Sequence, residues 1–131
     1  MSDVSDETRS RIESDPYCET LGIDLVELES GFARTELTIT DELLNFHGTP
    51  HGAAIYSLAD AAFAAASNSH GDAAVGLEVN MSYLEAADPG ETVTATAEET
   101  HVSGRTGEYE IIVTGESGNR IATFRGRVYR P

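Results

Sequence analysis

Apolar positions along this chain recur with two periods, and the switch between them marks out its elements. Residues 5–14 (SDETRSRIES) are almost wholly polar and read as a short helix. Asp15-Pro16 should end it, because the residue before proline avoids the helical region. Residues 22–30 (GIDLVELES) place Ile23, Leu25 and Leu28 inward, and Gly31 then turns the chain. Residues 32–40 alternate, with Ala33, Thr35, Leu37 and Ile39 on one face, so the two runs read as a hairpin. Between 49 and 70 the period changes. TPHGAAIYSLADAAFAAASNSH is rich in alanine, the best helix former. Thr49 and Pro50 fit an N-cap and first turn, and Gly71 fits the stop. Strand patterns then return over 77–84, 91–102, 105–116 and 119–130. Asp88-Pro89-Gly90 and Ser117-Gly118-Asn119 supply turns.

Two strands, one long helix and four more strands predict an α+β domain, an antiparallel sheet wrapped around a central helix. Its many alanines would let the sheet approach that helix closely on all sides. Residues 1–14 are expected to be a flexible or short helical extension, and residues 15–131 a single domain.

Charge narrows the classes of partner. Asp and Glu number 23 against 8 Lys and Arg, a net charge of −15, and all eight cations are arginine. Such a surface opposes binding to nucleic acid or to an anionic membrane, since both need a basic face. An acidic chain without lysine fits a high-salt cytoplasm, where screening shortens the Debye length to about 3 Å near 1 M salt. The longest apolar run, 53–66, is interrupted by Ser57 and Asp60 and falls short of the ~18 residues of a membrane span. Residues 1–14 carry no apolar core of a secretory signal, so a cytoplasmic location is expected. The single cysteine, Cys18, cannot form an internal disulfide and reads as structural.

The residue that does not belong is Asp60, set mid-helix among Leu58, Ala59, Ala61, Ala62 and Phe63. An unpaired carboxylate in apolar surroundings needs a partner, a raised pKa or a function. Helical spacing brings Tyr56, Ser57, Phe63, Ala64 and Ser67 near its face, a stripe suited either to lining a pocket or to core packing. At the helix start, first-turn N–H groups lack intrahelical partners and point a partial positive charge outward. Gly52 has no side chain to obstruct its N–H, as an oxyanion-binding donor requires, though it also permits tight packing. Gly52 and Asp60 are about 12 Å apart along a helix and differ by about 80° in direction. One small reacting group cannot touch both within one chain. If both act on one carbonyl, they must come from two chains with central helices side by side, which a two-fold dimer provides.

Asn45-Phe46-His47-Gly48-Thr49-Pro50-His51-Gly52, followed eight residues later by Asp60, resembles the N-x-x-G-x-x-H-G-(G)…D motif of hotdog-fold acyl-CoA thioesterases. LADAAFAAASNS (58–69), VNMSYLEAADPGE (79–91), FRGRVYR (124–130) and DPYCETLGIDLVE (15–27) look like the PaaI-type branch, named for phenylacetic acid degradation. The resemblance implies a hotdog fold, paired into a dimer with one continuous sheet, with tetramers of dimers common. It implies hydrolysis of an acyl-CoA, favouring aromatic acyl groups, without cofactor or metal. Carried over, Asp60 would be the nucleophile or the general base for water, and Gly52 of the partner chain the oxyanion donor. His51 and Asn45 would hold the loop, the thioester oxygen or the water. Phe46, Tyr56, Phe63 and Ser67 would line the substrate site. Two departures concern substrate and water: Phe46 replaces a common glycine, and the place of a water-orienting Ser or Thr in some relatives falls near Gly76.

Other readings stay open. A thioesterase for a medium-chain or naphthoyl-type CoA, or a non-catalytic acyl-CoA-binding hotdog module, would share these motifs. Asp60 speaks against the module, and no second His suits a hydratase. His47 and His51 stand at a metal-binding spacing, but Gly48 and Pro50 break any helix between them, so no metal is expected. Arg125 and Arg127, with Arg130, Arg105 and Arg120 as neighbours, either grip the CoA phosphates or pair with surface glutamates.

Overall fold

In the computed structural model, which describes residues 3–131, two short helices precede the first hairpin: α1 (Asp6–Glu13) and α2 (Pro16–Leu21). Met1 and Ser2 of the expected extension lie outside the described residues. Asp15-Pro16 does not simply end a helix; it starts one. The Asp15 carboxylate caps the Cys18 N–H and Pro16 occupies the first turn, where its missing N–H costs nothing. Gly22, at φ 83°, closes α2. Helix α1 also packs on the body of the fold. Val4 and Thr8 are buried, and the Arg9 guanidinium donates to the Leu28 carbonyl at 2.9 Å.

The remaining elements are β1 (Asp24–Glu29), β2 (Phe32–Thr38), a 3-10 turn (Asp41–Leu43), α3 (Gly52–Asn68), β3 (Val75–Tyr83), β4 (Thr92–Ser103), β5 (Thr106–Thr114) and β6 (Arg120–Tyr129). They form one antiparallel sheet in the order β1-β2-β4-β5-β6-β3. A register shift between Leu25 and Glu27 inserts Val26 as an extra residue in β1. Strict alternation would turn Leu28 outward. The bulge returns it to the core, where it is buried, and leaves Val26 exposed.

Helix α3 lies across one face of this sheet. The facing surfaces are built from small residues: Ala54, Ala62, Ala65 and Ala66 on the helix, and Ala33, Ala95, Ala97 and Ala122 on the strands. Alanine against alanine lets helix and sheet backbones approach closely, and the larger Leu58, Ile111, Tyr109 and Phe124 fill the space beside them. Gly126 shows how tight the fit is. A Cβ there would stand 2.6 Å from the Phe63 ring.

The sheet does not surround α3. Ala53, Asp60 and Ala64 face away from it and are exposed, with Ser57 and Ala61 half-buried. The expectation of close approach on all sides is corrected: six strands of one chain curve over one side of the helix. Strand β3 is a sheet edge, hydrogen-bonded among the described residues to β6 alone, and carries Val75, Leu77 and Tyr83 exposed.

The C-terminal end of α3 is tied down by a polar network. His70 pairs with Glu99 at 2.8 Å and with the Ser30 hydroxyl at 3.0 Å. Buried Tyr109 donates its hydroxyl proton to Glu99, and Arg130 donates to Tyr109 and to the Ser67 carbonyl, each at 3.0 Å.

Candidate active site

The loop ahead of α3 is built by Asn45. Its Oδ1 accepts from the His47 N–H at 2.9 Å, the Thr49 N–H at 3.2 Å and the Thr49 hydroxyl at 3.1 Å. Gly48 completes the turn at φ 80°. The N-cap of α3 is His51 rather than Thr49: its Nδ1 accepts from the Ala53 N–H at 3.0 Å, while Pro50 bridges back to Leu44. The side-chain acceptor that satisfies the helix start is therefore an imidazole nitrogen, and the sequence rules for caps favour hydroxyl, carboxylate and amide groups. His47 and His51 are not brought together with other ligands, and no cluster able to hold a metal occurs among the described residues.

Gly52 is the first residue of α3, so its N–H has no intrahelical acceptor. The Tyr83 ring packs over it, with its hydroxyl donating to the Gly52 carbonyl at 2.9 Å. Sequence reasoning missed Tyr83, because the contact joins positions 31 residues apart and only the β3 register creates it.

Asp60 stands two turns along α3 on its outer face. Although one side of the carboxylate is open, the helices packed beside it strip enough water to raise its pKa above the ordinary aspartate value, and the charge of Asp15 adds to the rise. Tyr56, one turn back, is raised likewise, by desolvation and then by Asp60. Tyr17 of α2 reaches the same face, its hydroxyl 3.0 Å from that of Ser57.

The other predicted substrate residues separate. Phe63 and Ser67 turn to the sheet and away from Asp60. Phe63 packs on Tyr109 and Phe124 at ring distances of 5.8 and 5.6 Å, and Ser67 is buried with its hydroxyl on the Ala64 carbonyl. Tyr56 bridges the two faces, edge-on to Phe124 at 5.5 Å. Phe46 projects from the loop tip, 93% exposed and stacked on His47. Gly76 lies against Phe63. Arg125 and Arg127 sit on β6 positions facing away from α3, and Arg127 approaches Glu78 at 3.8 Å. Arg130 turns inward to the polar network, and Arg105 meets the Tyr129 hydroxyl, so the arginines do not form one cluster.

Comparisons with known proteins bear on the family and the fold. The thioesterase superfamily pattern matches residues 47–130. The acyl-coenzyme A thioesterase PaaI of Escherichia coli is 40% identical over 118 residues, covering 90% of this chain and 84% of its own. The solved structure of the E. coli PaaI protein from the phenylacetic acid degradation operon superposes with a TM-score of 0.90 at 38% identity, over 94% of this chain and 89% of that one. A 1,4-dihydroxy-2-naphthoyl-CoA hydrolase of Listeria monocytogenes is 37% identical over 110 residues, 82% of this chain and 89% of its own. A loop braced by an asparagine, a glycine opening the long helix, a desolvated aspartate two turns on and a sheet in the order β1-β2-β4-β5-β6-β3 thus occur together in a chain that belongs to the thioesterase superfamily, as a PaaI-like thioester hydrolase with the hotdog fold.

Proposed function

We propose that this protein hydrolyses acyl-CoA thioesters, with aromatic acyl groups of the phenylacetyl type preferred. The observation that carries this reading is the pairing, on one helix, of a first-turn N–H at Gly52 that has no intrahelical acceptor with a desolvated carboxylate at Asp60. The similarity to E. coli PaaI supports the choice of substrate.

The two groups act from different protomers. Eight residues of helix separate them by about 12 Å, too far for one thioester carbonyl. The exposed β3 edge supports a homodimer with one continuous sheet, in which the uncovered outer faces of two α3 helices meet. Gly52 of one protomer then holds the carbonyl oxygen, and Asp60 of the other faces the carbon. As general base, Asp60 takes a proton from water. The resulting hydroxide adds to the carbonyl, and the Gly52 N–H stabilises the oxyanion, a contact worth about 3 kcal/mol in the transition state. Collapse breaks the C–S bond, and the proton on Asp60 passes to the CoA thiolate. In direct attack, the Asp60 carboxylate instead displaces the CoA thiolate to form a mixed anhydride; water then opens the anhydride, releasing the acid and the free Asp60 carboxylate, and its proton passes to the thiolate. One turnover in labelled water tests this: label in the Asp60 carboxylate requires direct attack with water adding at the aspartyl carbonyl.

His51 and Asn45 serve as positioning residues that hold the loop and helix start. Arg125 and Arg127 are proposed to meet CoA phosphates at the rim, and a charge reversal that leaves KM unchanged rejects that role. The similarity to the naphthoyl-CoA hydrolase supports a second reading, a bicyclic aromatic acyl group on the same machinery. The test is CoA release in molar KCl from phenylacetyl-CoA, dihydroxynaphthoyl-CoA and a straight-chain panel, by wild type and Asp60→Asn. Turnover lost in the variant supports the reading. A folded dimer that cleaves none of them returns the protein to the acyl-CoA-binding module.

A further inference from the structure

A cavity of about 230 Å³ lies where one edge of α3 and the β1–β2 side of the sheet meet the two N-terminal helices. Its walls are Ile12 of α1, Cys18 of α2, Ile23 and Leu25 at the start of β1, and Ala61 and Ala65 of α3. Ala64, one turn after Asp60 on the same helix face, lines it, and the Asp60 charge acts on the Cys18 thiol in its wall, so the cavity lies near that carboxylate although Asp60 does not line it. The polar lining is Thr35 of β2, buried with its hydroxyl donating to the Leu58 carbonyl at 3.0 Å, and Arg11, Glu13, Asp15 and Asn68. Arg11 and Asn68 are already engaged with the backbone, Arg11 on the Gly71 carbonyl and Asn68 on Ala64 and Ala74. Arg11 keeps its positive charge in that bond, and Glu13 and Asp15 outnumber it, so the mouth is acidic on balance.

We infer that this cavity is the acyl pocket, and that Ile12 and Cys18, supplied by the N-terminal helices, set the size of the acyl group that Asp60 cleaves. The inference rests on the thioesterase reading above and deepens it. An apolar cavity of about 150 Å³ takes a benzene ring, so by volume this one takes about nine non-hydrogen atoms. A phenylacetyl group fits that volume, and a dihydroxynaphthoyl group exceeds it. Glu13 and Asp15 at the mouth repel acyl groups that carry a free carboxylate. The pocket also gives α1 and α2 a purpose. Without them the cavity would lose the wall made by Ile12 and Cys18, leaving Ile23, Leu25 and Thr35 beside an opening to water. It explains why the helix offers only alanine there: any larger side chain would occupy the space of the acyl group.

The experiment pairs a filling variant, Cys18→Phe, with an enlarging one, Ile12→Ala. For each, kcat/KM is measured with acetyl-, phenylacetyl- and dihydroxynaphthoyl-CoA. Affinity is measured with the corresponding analogues in which CH₂ replaces the thioester sulfur, so that recognition is read without hydrolysis. One methylene in an apolar pocket changes kcat/KM by about 10- to 200-fold. The phenylacetyl-to-acetyl ratio should therefore fall at least about 30-fold in Cys18→Phe, and the naphthoyl-to-phenylacetyl ratio should rise about 10-fold in Ile12→Ala. If Cys18→Phe does not fold, Ile12→Ala alone decides. Ratios within twofold of wild type, in an enzyme that cleaves these thioesters, overturn the pocket and leave the hydrolase reading intact. If wild type cleaves none but the analogue affinities shift in the stated directions, the pocket stands and hydrolysis falls. If no analogue binds, both fall.

Discussion

The two faces of α3 are made of nearly the same residues and do opposite work. The inner face, with Ala54, Leu58, Ala62, Phe63 and Ala66, is sealed against the sheet. The outer face, with Ala53, Ser57, Asp60 and Ala64, has similar small side chains and no strand over it. Alanine on the inner face makes close packing possible. On the outer face it leaves room. The lesson is that small residues on a helix specify only how near something can come, and the course of the chain decides whether that is a sheet, a partner or a substrate.

Removing the one charge from the outer face should have the largest effect on function. Asp60→Asn is expected to lower kcat by about 10³-fold or more, roughly 4 kcal/mol of transition-state stabilisation. Its effect on stability runs the other way. The folded pKa of Asp60 is raised, so ionising it opposes folding as pH climbs above the ordinary aspartate value. Melting in molar KCl should show Asp60→Asn as stable as wild type or more so at pH 7, with the gain shrinking toward pH 4. The same raised pKa should place the acidic limb of the kcat/KM profile above the pH of an ordinary aspartate.

On the inner face a substitution of comparable size should cost stability and leave the catalytic groups in place. Leu58→Ala removes a fully buried side chain from the helix–sheet seam and is expected to cost about 2–5 kcal/mol in denaturant unfolding. Gly126→Ala overfills the same seam against Phe63 and should cost about 1–3 kcal/mol.

The polar network at the end of α3 should give a pH signature distinct from that of Asp60. Burial works against the Glu99 charge, but hydrogen bonds from Tyr109 and His70 and the charges of His70 and Arg130 outweigh it and hold its pKa below the usual value. A depressed carboxylate pKa contributes stability above its unfolded value, and that contribution is lost as pH falls through the folded one. Tyr109→Phe, expected to cost about 1–3 kcal/mol at pH 7, should cost less as Glu99 is protonated, which a pH series of melting curves will show. The smallest effect belongs to the outer face: Ala53→Ser, exposed in the single chain, should change the stability of the dissociated protomer by less than about 0.5 kcal/mol. A larger loss in the assembled protein than in the dissociated protomer would support the pairing of two outer faces.

Much of the fold was legible because its signals are local. Alternation in 32–40 marks β2, alanine density marks α3, and Gly31 and Ser117-Gly118-Asn119 mark turns, each needing only neighbours along the chain. The readings that differed depended on distant partners. Thr49 looked like the cap because hydroxyls commonly cap helices, yet the Leu44–Pro50 bridge carries the chain two residues further and His51 takes the role. Phe63 and Ser67 share a helical neighbourhood with Asp60 on a wheel, but a stripe has two edges, and which edge meets the sheet is settled by strands far along the chain, such as the one that brings Arg130 to Ser67, 63 residues away. Tyr83 over Gly52 and Cys18 beside Asp60 were invisible for the same reason.

The sequence by itself determined the order of elements, the apolar sides of the strands, and the spacing that puts Gly52 and Asp60 two turns apart on one helix. Those follow from backbone geometry and side-chain period, which every residue carries with it. Only the tertiary structure decided that the sheet covers one side of α3, that α1 and α2 wall a cavity near Asp60, and that Glu99 sits between Tyr109 and His70. Those follow from closure of the chain on itself, where desolvation and contact depend on residues far apart in sequence.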